Sequence, residues 1–285
     1  MESYYISTVR ECLIQRVTGD KDVDEVDIAR IQKTDDLIRR FIMIDNNGNW
    51  INGEMNVDEV ATRIMKTLHW KKASKINHMR ASDFPADFYK WKLYSYHLTE
   101  DQLIVYVKVD RFINISSGWR QAVLDKVLSW WDRLVNRLAE ERGNGICDLK
   151  PILIFDVSGM GYANIDMKMT ISLIQIVFTH YPKMVERIWV WGLSRFYYYL
   201  FKIATKVLPS YAHQIIQMMD LETAIRELGI EHVPTILGGE MEAEFVQLET
   251  IDDGPSLEEF AKRYTISDRD VEKLKQHLER LFENE

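Results

Sequence analysis

The sequence predicts an α/β protein, with a parallel βαβ unit at its centre covered by helices and a helical region in front of it. Three observations carry this. Pro151 to Gly192 reads as strand, turn, helix, strand, and such a crossover joins parallel strands that need cover on both faces. Leu103 to Val109 is another strand, followed by a long amphipathic helix from Trp119 to Arg142. The front third mixes charged and apolar residues at helical spacing.

In the central unit, Pro151-Ile-Leu-Ile-Phe-Asp-Val157 is apolar, rich in branched residues and too short for a helix. Ser158-Gly-Met-Gly161 is its turn. Asp166 to Thr179, rich in Met, Ile, Leu and Val, is long enough for about four helical turns. Tyr181-Pro182 breaks the chain, and Arg187-Ile-Trp-Val-Trp-Gly192 is the second buried strand.

Upstream, residues 1–40 read as helical. Asp35 and Asp36 open the apolar segment that ends at Ile44, as acids do at a helix N-terminus. Residues 46–53 are a loop by composition. Asn56-Val-Asp-Glu59 opens the next helix, with Val57, Val60, Ile64 and Leu68 near one face. In the 119–142 helix, Trp119, Val123, Val127, Trp130, Leu134 and Leu138 form one stripe.

Downstream, residues 196–208 are almost wholly apolar or aromatic. Lys202, Thr205 and Lys206 fall on one stripe. Such a helix must bury most of its circumference, in a core or against a ligand. Ile215 to Met219 is a short apolar run, and Leu221 to Leu228 is a helix stopped by Gly229. Val233 to Gly239 is a turn. Asp252-Asp-Gly-Pro255 is a linker. Ser267 to Phe282 is a helix with Val271, Leu274, Leu278 and Leu281 on one narrow stripe.

Composition narrows the function. The 285 residues are 46% hydrophobic and 28% charged, with a net charge of −8, as in a globular protein. From Glu240 onward, 14 acids face 6 bases, so this end carries the whole excess. No basic footprint for nucleic acid is expected. No apolar run reaches membrane-spanning length. Met1 to Glu11 has no long apolar core, so no signal peptide is expected. Cys12 and Cys147 then read as free thiols in a reducing cytosol.

Four chemical readings compete with plainer ones. Gly159-x-Gly161 after a strand suggests a dinucleotide loop, but the third glycine position holds Asn164 and the next strand ends in Trp191-Gly192 without a ribose-binding acid. Ser158 lies in Asp-Val-Ser-Gly, not in a nucleophile elbow. The seven histidines and two cysteines show no metal-ligand spacing, and His180 reads as packed or hydrogen-bonded. Trp189, Trp191 and Tyr197 to Tyr199 are aromatic core or the wall of an apolar cavity.

Phe155-Asp-Val-Ser-Gly159, Tyr181-Pro182, the apolar segment and Val233-Pro-Thr-Ile-Leu-Gly-Gly239 occur in an order and spacing that resemble the CRAL-TRIO lipid-binding family. That family includes phosphatidylinositol-transfer, tocopherol-binding and retinaldehyde-binding proteins. Asp36-Leu-Ile-Arg-Arg-Phe41 and Val57 to Trp70 resemble its N-terminal helical lobe. The likeness spans roughly residues 27–245, and is greatest to the CRAL-TRIO half of motile-sperm-domain membrane-contact tethers.

The resemblance implies a CRAL-TRIO fold: a helical lobe over 1–95, a lipid-binding domain over 96–248 and an acidic linker with an amphipathic helix over 249–285. A mixed, mainly parallel sheet would floor a lipid pocket and residues 196–208 would be its lid. By two-residue strand period, Leu153 and Phe155 share a face, as do Ile188 and Val190. Tyr197, Phe201, Ala204 and Leu208 would line the lid, and Lys202 and Lys206 would meet anionic headgroups or simply face solvent. Lys183 stands where phosphatidylinositol-transfer members carry glutamate, Ile215 at or near a family lysine, and apolar residues around Leu153 replace headgroup-binding hydroxyls. A buried headgroup without polar partners is costly, so a less polar lipid fits better.

The expected protein is therefore a non-enzyme with a bound lipid and no other cofactor or metal. It would be cytoplasmic, and peripheral and transient at the cytosolic face of endomembranes. The rival reading is an interaction scaffold with a collapsed pocket, whose 267–282 helix binds a protein partner. That helix could equally pack on the body.

Overall fold

A computed structural model describes residues 2–42, 55–142, 149, 151–194, 198, 199, 202, 212–249 and 251–283. Five strands form one sheet in the order β1 (Tyr94–Leu98), β2 (Leu103–Lys108), β3 (Ile152–Asp156), β4 (Arg187–Trp191) and β5 (Ile216–Met219). β1 and β2 are an antiparallel hairpin; the other neighbours are parallel. The mixed, mainly parallel sheet implied by the CRAL-TRIO resemblance is present. β1 is an addition, and the apolar run before Asp220 is an edge strand.

Helices α1 (Glu2–Val17), α2 (Glu25–Lys33), α3 (Asp36–Ile42) and α4 (Val57–Ala73) have a core of their own around Val9, Leu13, Ile31, Ile38, Phe41, Ile64 and Leu68. Asp24 and Asn56 cap α2 and α4 by accepting from free backbone N–H groups. The Arg10 side chain donates to the Ile31 carbonyl, joining α1 to α2.

Helix α5 (Ser117–Arg142) and helix α6 (Met167–His180) belong with one sheet face, in a core that also takes Phe84, Phe88, Trp91 and the C-terminal helices. The other face packs under α7 (Leu221–Leu228) and the turn at 233–237. There Ile152, Ile154, Trp189, Trp191 and Met219 meet Ala224, Val233 and Leu237.

Helix α6 is tied at both ends. Asp166 caps it by accepting from Met169 N, and accepts from Arg120 Nε at 2.6 Å. At the other end the His180 ring stacks on Trp70, with centroids 4.1 Å apart, and its Nδ1 lies 3.1 Å from Thr67 Oγ1. Burial, and then Lys66, push the His180 pKa down to about 4, so the ring is neutral packing. Tyr181 Oη donates to Asp132 on α5.

The C-terminal helices α8 (Leu257–Arg263) and α9 (Asp268–Glu283) pack on the body. Val271, Leu274 and Leu278, the stripe seen in the sequence, are buried in the main core. His277 Nε2 lies 2.8 Å from the Arg111 carbonyl.

One buried cation stands out. Lys126 of α5 is 3% exposed, donates to Tyr94 Oη at 2.5 Å and lies over the rings of Tyr89 and Tyr94. Burial, reinforced by Arg133, lowers its pKa to about 7. Above that pH the folded amine has lost a proton that the unfolded chain keeps up to about 10. Unfolding then takes up a proton, so this residue makes stability rise with pH across that window. Lys126→Met is expected to flatten the rise measured by denaturant unfolding between about pH 7 and pH 9; an unchanged slope would refute the assignment.

Candidate functional site

The face of the sheet under α5 and α6 carries two apolar rungs. Val105, Leu153, Ile188 and Ile216 pair across the sheet in one, and Val107, Phe155, Val190 and Met218 in the next. The four strand residues singled out in the sequence therefore stand side by side. Their neighbours on β2 and β5 were missed. The two-residue period of β2 pointed to Val105 and Val107, whereas Ile216 and Met218 needed the strand pairing of β5.

The two faces of β3 differ in burial. On the far side Ile152 and Ile154 are 6% and 0% exposed, yet Leu153 and Phe155 are only half-buried. A central parallel strand is ordinarily sealed on both faces. Helix α6 repeats the pattern. Despite its apolar sequence, only Met169 and His180 are fully buried, while Leu173, Ile176 and Phe178 pack partly against the same core. Apolar surface on the floor and on the adjoining helix thus stays partly exposed. None of the eight floor residues is charged.

Tyr197, Phe201, Ala204, Leu208 and Lys206 lie outside the described residues. Lys202 is exposed, with its ammonium 4.5 Å above the Tyr198 ring. Tyr198 raises its pKa through a side-chain hydrogen bond.

The turn after β3 is occupied by its own polar contacts. Tyr106 Oη donates to one Asp156 carboxylate oxygen and Ser158 Oγ to the other, both at 2.6 Å. A Cβ at Gly159 would lie 2.6 Å from Asp110 Oδ2, so a carboxylate stands where a phosphate would need room. Asn164 accepts from Gly161 N and donates to the Asp110 and Phe112 carbonyls. Gly192 has φ +72°, and a Cβ there would lie 2.6 Å from Ser158 Cβ, so glycine lets β4 end against this turn. These contacts explain the motif residues as structural.

A cleft of about 410 Å³ lies elsewhere: a polar seam between the N-terminal helices and α5, walled by Arg30, Arg80, Arg133 and Asp132. No group of three or more His, Cys, Asp or Glu that could hold a metal is found among the described residues. No helix among them is long and apolar enough to cross a membrane.

The CRAL/TRIO domain model matches residues 97–239. The chain belongs to the CRAL/TRIO domain family. The matched span begins within β1 and ends at Gly239, taking in the whole floor. The crystal structure of Sfh5 is similar at TM-score 0.55 and 7% identity, over 77% of this chain and 78% of that chain. At that identity the likeness is one of fold, and it extends beyond the matched span. As a CRAL/TRIO protein, the chain carries a lipid-binding domain.

Proposed function

We propose that the protein binds one hydrophobic lipid over the β2–β5 floor and transfers or presents it at cytosolic membrane surfaces, without catalysis. The observation that carries this is the half-buried pair Leu153 and Phe155 on the central strand, whose opposite face is sealed. Residues 196–208 are proposed to cover the ligand, with Tyr197, Phe201, Ala204 and Leu208 toward it. The two earlier parallel crossovers, through α5 and α6, both run on the floor side. A β4–β5 connection of the same hand would pass over that side too. Lys202 and Lys206 would face anionic headgroups, making membrane contact transient and peripheral.

An uncharged floor suits a lipid whose buried part has few polar atoms. Burying some hundreds of Å² of such a ligand, at about 25 cal/mol per Å², supplies several kcal/mol before ordering costs. The division into a helical lobe to residue 95, a lipid-binding domain to 248 and a C-terminal segment is part of this proposal. The rival scaffold reading needs a free C-terminal helix, whereas Val271, Leu274 and Leu278 are buried in the chain's own core.

Native mass spectrometry of the purified protein, followed by solvent extraction, tests the reading. One lipid at near-stoichiometric amount is expected, and Phe155→Asp is expected to lose it while keeping the wild-type circular dichroism spectrum. A folded wild-type protein that arrives empty and takes nothing from mixed liposomes would sink it.

A further inference from the structure

The layer on the sealed face of the sheet presents apolar side chains to solvent. Leu221, Ile225 and Leu228 recur at i, i+4 and i+7 on α7, the spacing of a stripe meant for burial. Yet the helix fully buries only Ala224, and Leu221 and Ile225 are 37% and 38% exposed. Ile236, in the following turn, is 53% exposed. A Cβ at Gly238 would lie 3.2 Å from the Leu221 side chain, which places that turn directly against α7. The three residues thus belong to one surface.

The rim is acidic. Asp220, Glu222, Glu227, Glu231, Glu240 and Glu242 are all exposed along this layer. From Ile216 to Glu249 the sole Lys or Arg is Arg226, whose guanidinium is 3.9 Å from Glu227. An apolar centre inside a mainly acidic rim is the anatomy of a protein interface. The sign selects the occupant. Anionic lipid would be repelled, and a second copy would bring the same acids to a symmetric contact. Lysines and arginines flanking an apolar stripe would be attracted.

We propose that Leu221, Ile225 and Ile236 are the centre of a docking surface for a basic amphipathic segment of a partner protein. The surface lies on the face of the sheet opposite the Leu153–Phe155 floor, so a docked partner leaves the floor unobstructed. It does not depend on which lipid, if any, the floor holds.

The test uses the full chain and a labelled helical peptide of about 18 residues, leucines at i, i+4 and i+7 with lysines elsewhere. A second peptide has glutamate for every lysine. Fluorescence anisotropy gives affinity, and hydrogen exchange locates the contact. The lysine peptide is expected to bind and to protect amides in 221–236. It should weaken about tenfold or more in an Ile225→Ser, Ile236→Ser variant, and also on raising salt from about 50 to about 500 mM. Both side chains are more than one-third exposed, so that variant should fold; Glu222→Lys with Glu227→Lys provides a second probe and should shift preference toward the glutamate peptide. Equal binding of both peptides, or affinity unchanged in the serine variant, would overturn the proposal. So would protection of 221–236 by phosphatidylserine vesicles instead, or self-association that the serine variant abolishes.

Discussion

Lys71→Met is expected to destabilise the protein by about 3–5 kcal/mol, the cost of removing one partner from a buried ionic group. Lys71 Nζ lies 2.9 Å from Asp27 Oδ1 and 3.0 Å from Asp132 Oδ1, and all three side chains are under 10% exposed. Arg30 reaches both carboxylates, Asn77 donates to Asp27, and Asn136 and Tyr181 donate to Asp132. The cluster bolts α2 and α4 to α5. Without the lysine, two buried carboxylates share one partly exposed guanidinium. Burial alone would raise the Asp132 pKa, but Lys71 and then Arg30 outweigh it and hold it below the ordinary carboxylate range. The linked stability is therefore complete above the ordinary range and is lost as pH falls through the lowered value. Denaturant midpoints measure the effect. A Lys71→Met midpoint matching wild type would show that the cluster contributes nothing net. Adding Asp132→Leu is expected to recover part of the loss, because an apolar replacement removes one unpaired charge.

Ending the chain after Pro255 is expected to abolish the cooperative thermal transition. The removed segment buries Phe260, Ala261, Ile266, Val271, Leu274 and Leu278 in the main core. At about 1.5–3 kcal/mol for each large side chain, the loss rivals the 5–15 kcal/mol that roughly spans domain stabilities. Phe88, Trp91 and Trp119 pack around one another at tilted and edge-on angles, and Phe260 meets Phe88 edge-on with centroids 5.1 Å apart. Truncation would bare that aromatic group. Gly118 marks the fit from the other side: a Cβ there would collide with the Tyr264 carbonyl. Phe260→Ala is the milder version, at about 3–5 kcal/mol. A truncated chain that melts cooperatively at the wild-type temperature would mean that α8 and α9 are an appendage.

These two regions show where sequence reading succeeds and where it stops. The stripe Val271, Leu274 and Leu278 announced that α9 buries a face, but periodicity says nothing about what it is buried against. Asp27, Lys71 and Asp132 are far apart in the chain, and each resembles an ordinary surface charge until the fold joins them. The central βαβ unit was legible because its two periods, two in the strands and about 3.6 in the helix, are strong and local. Residues 94–98 were not: Tyr-Ser-Tyr-His-Leu has mixed polarity, and its strand character comes from pairing with β2 and the bridge from Tyr96 to Val246. For the floor, the sequence identified Leu153, Phe155, Ile188 and Val190 as facing pairs, and strand register extended them to β2 and β5. The half-buried state of Leu153 and Phe155, which carries the functional reading, depends on three-dimensional packing and leaves no trace in the order of residues.

Helix α6 behaves mechanically as a beam clamped at both supports. Its first turn is held by Asp166 and Arg120, and its last by His180 on Trp70 and Tyr181 on Asp132. A beam fixed in this way bows little under a side load. The spacing between it and the sheet is then set by its two ends. In the proposed lipid-binding role, capacity would change with the volume of Leu173 and Ile176, one side chain at a time, while the span itself holds its dimension.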